Sequence, residues 1–182
     1  SVFIAIYVAL GIAVAGTLMT QPVGLVDVGK YLLKGAWNIL PLAVILWLSI
    51  ALGGLTRDLG TGEFLAAALD GSVALWMLLP LIFVLSAITG FSIGSSWGTF
   101  AIMLPLAIPL AMTLGLPAAP FIAAAISGGI FGDHASPISD TTIIASMASG
   151  VEHIDHVRTQ LPYALLAGLA ATVAYAITGM LI

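Results

Sequence analysis

Charge is too scarce in this sequence to coat a soluble surface. Charged residues make up 7% of the chain and hydrophobic ones 61%, whereas a water-soluble domain carries roughly 25% charged residues. A water-soluble enzyme, a nucleic-acid binder and a disordered segment are excluded on that ground. Lys and Arg together number four, too few for a patch that meets a phosphate backbone. Lipid does solvate an apolar exterior, so the chain reads as an all-α integral membrane protein. The absence of Cys removes any disulfide framework, thiolate nucleophile or Cys-ligated metal. At 182 residues the chain suits one transmembrane domain, 1–182. It starts at Ser1 rather than Met, which suggests a processed chain or half of something longer. The first apolar run lacks a basic flank and a small-residue cleavage site, so it reads as a span and not a signal peptide.

A hydrocarbon core about 30 Å thick takes about 20 apolar residues of helix. On that measure the sequence predicts about six membrane segments. Residues 2–19 form the first span and 36–55 the second, with a polar break at 20–34 holding Gln21, Pro22, Asp27, Lys30 and Lys34. The longest polar stretch, 56–71, holds Arg57, Asp58, Glu63 and Asp70, and its middle reads as a short interfacial helix. Residues 73–116 form either two spans or, preferred here, a re-entrant hairpin whose tip is the uncharged knot at 92–99. The stretch 120–149 reads as a discontinuous helix: an apolar piece ending at Phe131, a polar break at 132–140, then a second short helix. Residues 150–160 are a surface loop or short helix, and 161–182 the last span. Lys30, Lys34 and Arg158 fall on one side and Arg57 on the other, a bias that puts the first side in the cytoplasm.

Irregular backbone at membrane depth leaves N–H and C=O groups that only protein or a water-lined cavity satisfies. The break at 132–140 also carries Asp133, His134 and Asp140, where a charge costs at least about 2.5–3.5 kcal/mol. The alternative is an ordinary polar loop nearer the surface, but short apolar segments flank the break on both sides. Asp133 and Asp140 are the leading candidates for an ion or proton site, with sodium the candidate metal. A carboxylate is both a hard oxygen ligand and a proton acceptor. Ser136, Ser139, Thr141 and Thr142 add neutral oxygens, and Pro137 removes an N–H and exposes neighbouring carbonyls. Either Asp also suits a helix N-cap, Asp140 above all. His134 reads as a proton carrier or as the hydrogen-bonding partner of a neighbouring carboxylate. At the hairpin tip Ser95, Ser96 and Thr99 offer further oxygens, or else serve close helix packing. Residues 94–98 also fit the G-x-S-x-G pattern of serine hydrolases, with Ser96 as nucleophile and His134 as base, although that elbow needs a preceding strand. Glu152, His153, Asp155, His156 and Arg158 form a metal-binding or pH-sensing cluster or, preferred, a solvated segment beside the membrane.

These same residues carry a family resemblance. The run Gly94-Ser95-Ser96-Trp97-Gly98-Thr99-Phe100 resembles the G-[ST]-S-W-G-T signature of NhaC-type sodium/proton antiporters. Residues 132–142 resemble the family's G-D-H-x-S-P-I-S-D-T-T signature, with Ala135 where Cys is frequent. Residues 152–163 resemble the H-I-D-H-V-x-T-Q-x-P-Y segment that follows. The resemblance covers roughly residues 37–182. It implies a secondary active transporter, not an enzyme, of the broader ion-transporter superfamily. Such folds hold a re-entrant hairpin and a broken helix in each of two inverted halves. The implied function is exchange of a cation, sodium first, for protons in a prokaryotic plasma membrane. Some relatives exchange organic acids such as malate and lactate. Sodium and protons are transported species, and no cofactor is implied. Only one half is matched, so the expected partner is a second copy in an antiparallel homodimer or a complementary chain. The ion is expected near the bilayer midplane, with the hairpin tip approaching the break from the opposite side. A passive channel is the remaining alternative.

Overall fold

The computed structural model describes residues 2–69 and 73–182, so Asp70 lies outside the described residues. Every regular element described is helical. They are α1 (Val2–Thr20), α2 (Leu25–Asp58), α3 (Thr61–Leu69), a short 3-10 turn (Leu75–Met77), α4 (Leu78–Ile93), α5 (Ser96–Thr113), α6 (Ala118–Ala135), α7 (Asp140–Ser149) and α8 (His153–Leu181). Among the described residues, four stretches are long and apolar enough to cross a membrane: Phe3–Thr20, Leu75–Ile93, Ser96–Thr113 and His153–Leu181.

The chain divides into two compact units, Ser1–Val44 and Ile45–Ile182, with the boundary inside α2. In the first unit the polar break is only residues 21–24. Helix resumes at Leu25 because Asp27, Lys30 and Lys34 do not stop one; Asp27 and Lys30 pair across 3.3 Å at the surface, a contact worth little by itself.

In the second unit, helix ends fall where the chain supplies a cap. Gly94 closes α4 in the left-handed conformation (φ 67°), and Ser95 then caps α5 by accepting from the Gly98 N–H. The knot at 92–99 therefore shrinks to a two-residue corner. Both legs, 19 and 18 residues long, reach the length of a full crossing. Pro80 falls in the first turn of α4, where its missing N–H costs nothing.

The apolar piece expected to end at Phe131 continues to Ala135, giving an 18-residue helix. Gly132, Asp133 and His134 do not break it. The stop comes at Ser136, whose backbone is extended (φ −77°, ψ 134°), as the residue before a proline prefers. Residues 136–139 are the real interruption, and Ser139 caps α7. The polar segment after Gly150 is likewise no loop. Glu152 accepts from the Asp155 N–H, and the first turns of the 29-residue α8 follow directly.

Three of these helices form the core. Phe83 lies against Gly128, Ala87 against Gly132, and the Ser136 hydroxyl donates to the Phe91 carbonyl. The numbers rise together, so α4 and α6 run parallel. They approach to backbone contact because Gly128 and Gly132 carry no Cβ, the small-xxx-small device of membrane helices. Helix α5 runs back alongside the pair, with Thr99 and Phe100 against Gly129. Helix α8 runs antiparallel to α6: Gln160 meets His134, Gly168 meets Phe131, and Tyr175 meets Ser127. The buried cluster comprises Leu78, Leu79, Ile82 and Phe83 from α4, Met103, Ala107, Leu110 and Ala111 from α5, and Phe121, Ala124 and Ala125 from α6. Helix α3 packs Gly62 onto Pro109 and Thr113, at the end of this bundle away from Ser95.

Candidate functional site

Parallel α4 and α6 bring the hairpin tip and the break to the same end of the bundle. Gly94 lies directly on Ile138: an added Cβ would sit 2.8 Å from the Ile138 carbonyl oxygen. The two motifs, more than forty residues apart in sequence, thus build one site.

Asp133 stands in the last turn of α6 and is 4% exposed. Among the described residues its carboxylate has no hydrogen-bond or ion-pair partner. Below it on the same helix face, Gly129 touches Gly90 of α4 and both Thr99 and Phe100 of α5. The Asp133 backbone N–H side meets Gly90 as well. Asp133 therefore caps the junction of all three helices. Thr99 is fully buried and donates to the Ser95 carbonyl at 2.9 Å, which leaves its own lone pairs open.

The other hydroxyls of the break are spent on holding its shape. Ser136, fully buried, donates to the Phe91 carbonyl at 2.7 Å and accepts from the Ile138 N–H. Ser139, also fully buried, accepts from the Thr141 N–H and bonds the Thr141 hydroxyl at 2.8 Å. Thr142 donates to the His134 carbonyl, which also accepts from Gln160. Asp140 is exposed in the first turn of α7, where a negative charge suits the helix dipole; the cap is Ser139 and not Asp140. Asp133 and Asp140 thus occupy different surroundings, one enclosed and one open. Ser95 is half-buried at the tip and Ser96, also half-buried, opens α5.

Two expectations for histidine change. His134 is exposed and its Nδ1 faces the Ile130 carbonyl at 3.1 Å, not a carboxylate. His153 is not simply solvated. Its Nε2 lies 2.6 Å from the Pro137 carbonyl and its Nδ1 3.1 Å from the Ser146 hydroxyl. A carbonyl only accepts, so Nε2 carries a proton and His153 pins the break to α7 and α8. No local pattern announces that role, because both partners lie in other elements. Among the described residues no three His, Asp or Glu side chains gather around a common point, so the His153–His156 metal alternative gains no support.

The hydrolase alternative also lacks its parts. A helix, not a strand, precedes Ser96, and His134 is turned to its own helix.

A sequence profile described as the Na+/H+ antiporter family matches residues 1–180. The chain belongs to that family. The match reaches beyond the segment 37–182 that the motifs mark. Family membership, with the four apolar helices, makes the chain part of an integral membrane protein. Similar proteins include an uncharacterised protein of Haemophilus influenzae, 40% identical over 74% of this chain and 26% of the relative. The arginine/ornithine antiporter ArcD of Halobacterium salinarum is 38% identical over 58% of this chain and 22% of its own. The malate-2H(+)/Na(+)-lactate antiporter of Bacillus subtilis is 36% identical over 56% of this chain and 23% of its own. The chain thus spans about a quarter of the length of the relatives it matches. No solved structure matches.

Proposed function

We propose that the chain supplies one half of a secondary transporter that exchanges sodium for protons, with Asp133 as the group that both occupy. The observation that carries this reading is the enclosed Asp133 carboxylate, 4% exposed and without a partner among the described residues. A carboxylate taken out of water is either neutralised by a proton or paired with a cation. Sodium and proton then exclude one another at one site. If the carrier reorients only when one of them is bound, that exclusion is sufficient for antiport.

The other half is a second copy inserted upside down, forming an antiparallel homodimer, with each half contributing one two-residue corner and one interrupted helix. The setting is the prokaryotic plasma membrane, with residues 151–160 on the cytoplasmic side. A second reading, coupled exchange of an organic acid, is favoured by the likeness to the malate-2H(+)/Na(+)-lactate antiporter. None of the buried side chains described is cationic, so an organic anion would draw its contacts from the other half.

Flux in proteoliposomes with imposed sodium and proton gradients, across a panel of cations and small acids, tests the proposal. Asp133→Asn abolishes coupled exchange, whereas Asp155→Asn, exposed in the first turn of α8, keeps most of it. Coupled exchange retained in both Asp133→Asn and Asp140→Asn overturns the reading.

A further inference from the structure

Hydroxyls on apolar helices ordinarily satisfy themselves by donating to the carbonyl four residues back. Thr89 and Ser92 of α4 do so, at 2.8 Å each, as do Ser127, Thr172 and Thr178 elsewhere. Ser86 does not. It is fully buried, and its hydroxyl has no partner among the described residues.

Its place in the bundle gives this meaning. On α4, Ile82, Ser86 and Gly90 follow one another at helical spacing. On α5 the matching ridge is Met103 and Thr99, and on α6 it is Ala125, Gly129 and Asp133. Ile82, Met103 and Ala125 belong to the apolar core. Ser86, Thr99 and Gly129 form the next layer, with the Ser86 Cβ against Gly128 and Thr99 against Gly129. Gly90 and Asp133 form the layer after that, in backbone contact. Helical side chains lean toward the N-terminus of their helix, so Asp133 leans back toward the Ser86 layer. The apolar core thus gives way to a polar layer, with Ser86 and Thr99 beside the glycine pair of α6 and Asp133 one helical turn further on. Two of these three polar side chains, Ser86 and Asp133, have nothing to bind among the described residues.

We propose that Ser86 is a ligand of the transported cation, supplying a neutral oxygen from α4 to an ion held by Asp133 from α6. This rests on the reading of Asp133 as the cation-binding carboxylate. A hard cation stripped of water needs several oxygens at once, and Ser86 and Thr99 supply them from the two helices that face Asp133. Glycine at 90 and 129 puts no side chain of its own among these groups.

The test compares Ser86→Ala and Ser86→Cys with the unaltered full chain, by sodium-dependent proton flux in proteoliposomes and thermal unfolding in detergent. Thr89→Ala, whose hydroxyl is spent on its own helix, is the control. The expected result is a rise of about tenfold or more in the apparent KM for sodium in both Ser86 variants, as loss of a metal-site interaction brings. Thiol sulfur is no substitute for a hard oxygen ligand. The unfolding temperature stays level or rises, because an unsatisfied buried hydroxyl has been removed. A sodium KM within about twofold of the unaltered chain in Ser86→Cys overturns the proposal, since sulfur preserves the packing but not the ligand. So does a fall in unfolding temperature in Ser86→Ala, which would mark a structural hydroxyl. If Asp133→Asn abolishes exchange while both Ser86 variants behave normally, only the role of Ser86 fails. If Asp133→Asn still exchanges, the underlying reading fails with it.

Discussion

At the scale of single residues, the site divides side chains whose polar capacity is used from those whose capacity is not. Ser136, Ser139 and Thr142 hold the break by bonds to Phe91, Thr141 and His134, whereas the Asp133 carboxylate has no partner among the described residues. His153 belongs with the first group. Replacing it by Ala strands the Pro137 carbonyl and removes a partner of Ser146, at a cost of about 1–3 kcal/mol. Unfolding of purified protein in detergent should show that loss for His153→Ala, with part of it recovered in His153→Gln, which restores a donor. Equal stability of His153→Ala and the unaltered chain would show that the bridge contributes nothing. Asp133 is legible in the sequence because a charge amid apolar residues demands a reason. Ser86 is not, because a lone serine in an apolar helix ordinarily back-bonds, and only the packed structure shows that this one does not.

At the scale of elements, local chemistry sets the ends and glycine sets the distances. Gly94 followed by Ser95, and Pro137 preceded by Ser136, mark the two corners in the sequence itself. The extent of each interruption is harder to read. Polar residues such as Asp133, His134 and Asp27 look like breaks on a hydropathy scale, but they retain helical backbone because a polar side chain leaves the backbone N–H and C=O free to continue the helix. The parallel pairing of α4 and α6 is not encoded locally at all; it depends on Gly128 and Gly132 meeting Phe83, Ala87 and Phe91 from another helix. A Cβ at Gly132 would stand 2.7 Å from the Phe91 amide nitrogen and closer still to the Ala87 carbonyl. Gly132→Ala should therefore destabilise by about 2–4 kcal/mol as the helices part. Gly54→Ala has nothing within 4 Å and should be neutral or stabilising by up to about 1 kcal/mol. Denaturation midpoints in detergent distinguish the two, and equal midpoints would contradict a backbone-level contact between α4 and α6.

At the scale of the whole molecule, scarcity of charge leads directly to a membrane protein, and the motifs lead to the antiporter family. The proposed partner is less legible, since an interface between halves would be formed by apolar surface that resembles surface facing lipid. Among the described residues there is one corner of the Gly94-Ser95 kind and one break, and the proposed alternating access needs a second body to move against. Mass measurement in detergent should therefore find two halves in the transport-competent unit, and transport-competent monomers would exclude this. The central claim, that sodium and a proton compete for Asp133, has a direct test in the apparent affinity for sodium as pH is varied between about 6 and 9. One-to-one competition predicts that sodium affinity falls on acidification, approaching about tenfold per pH unit as the proton comes to dominate the site. A sodium affinity that stays flat across that whole range would contradict the account.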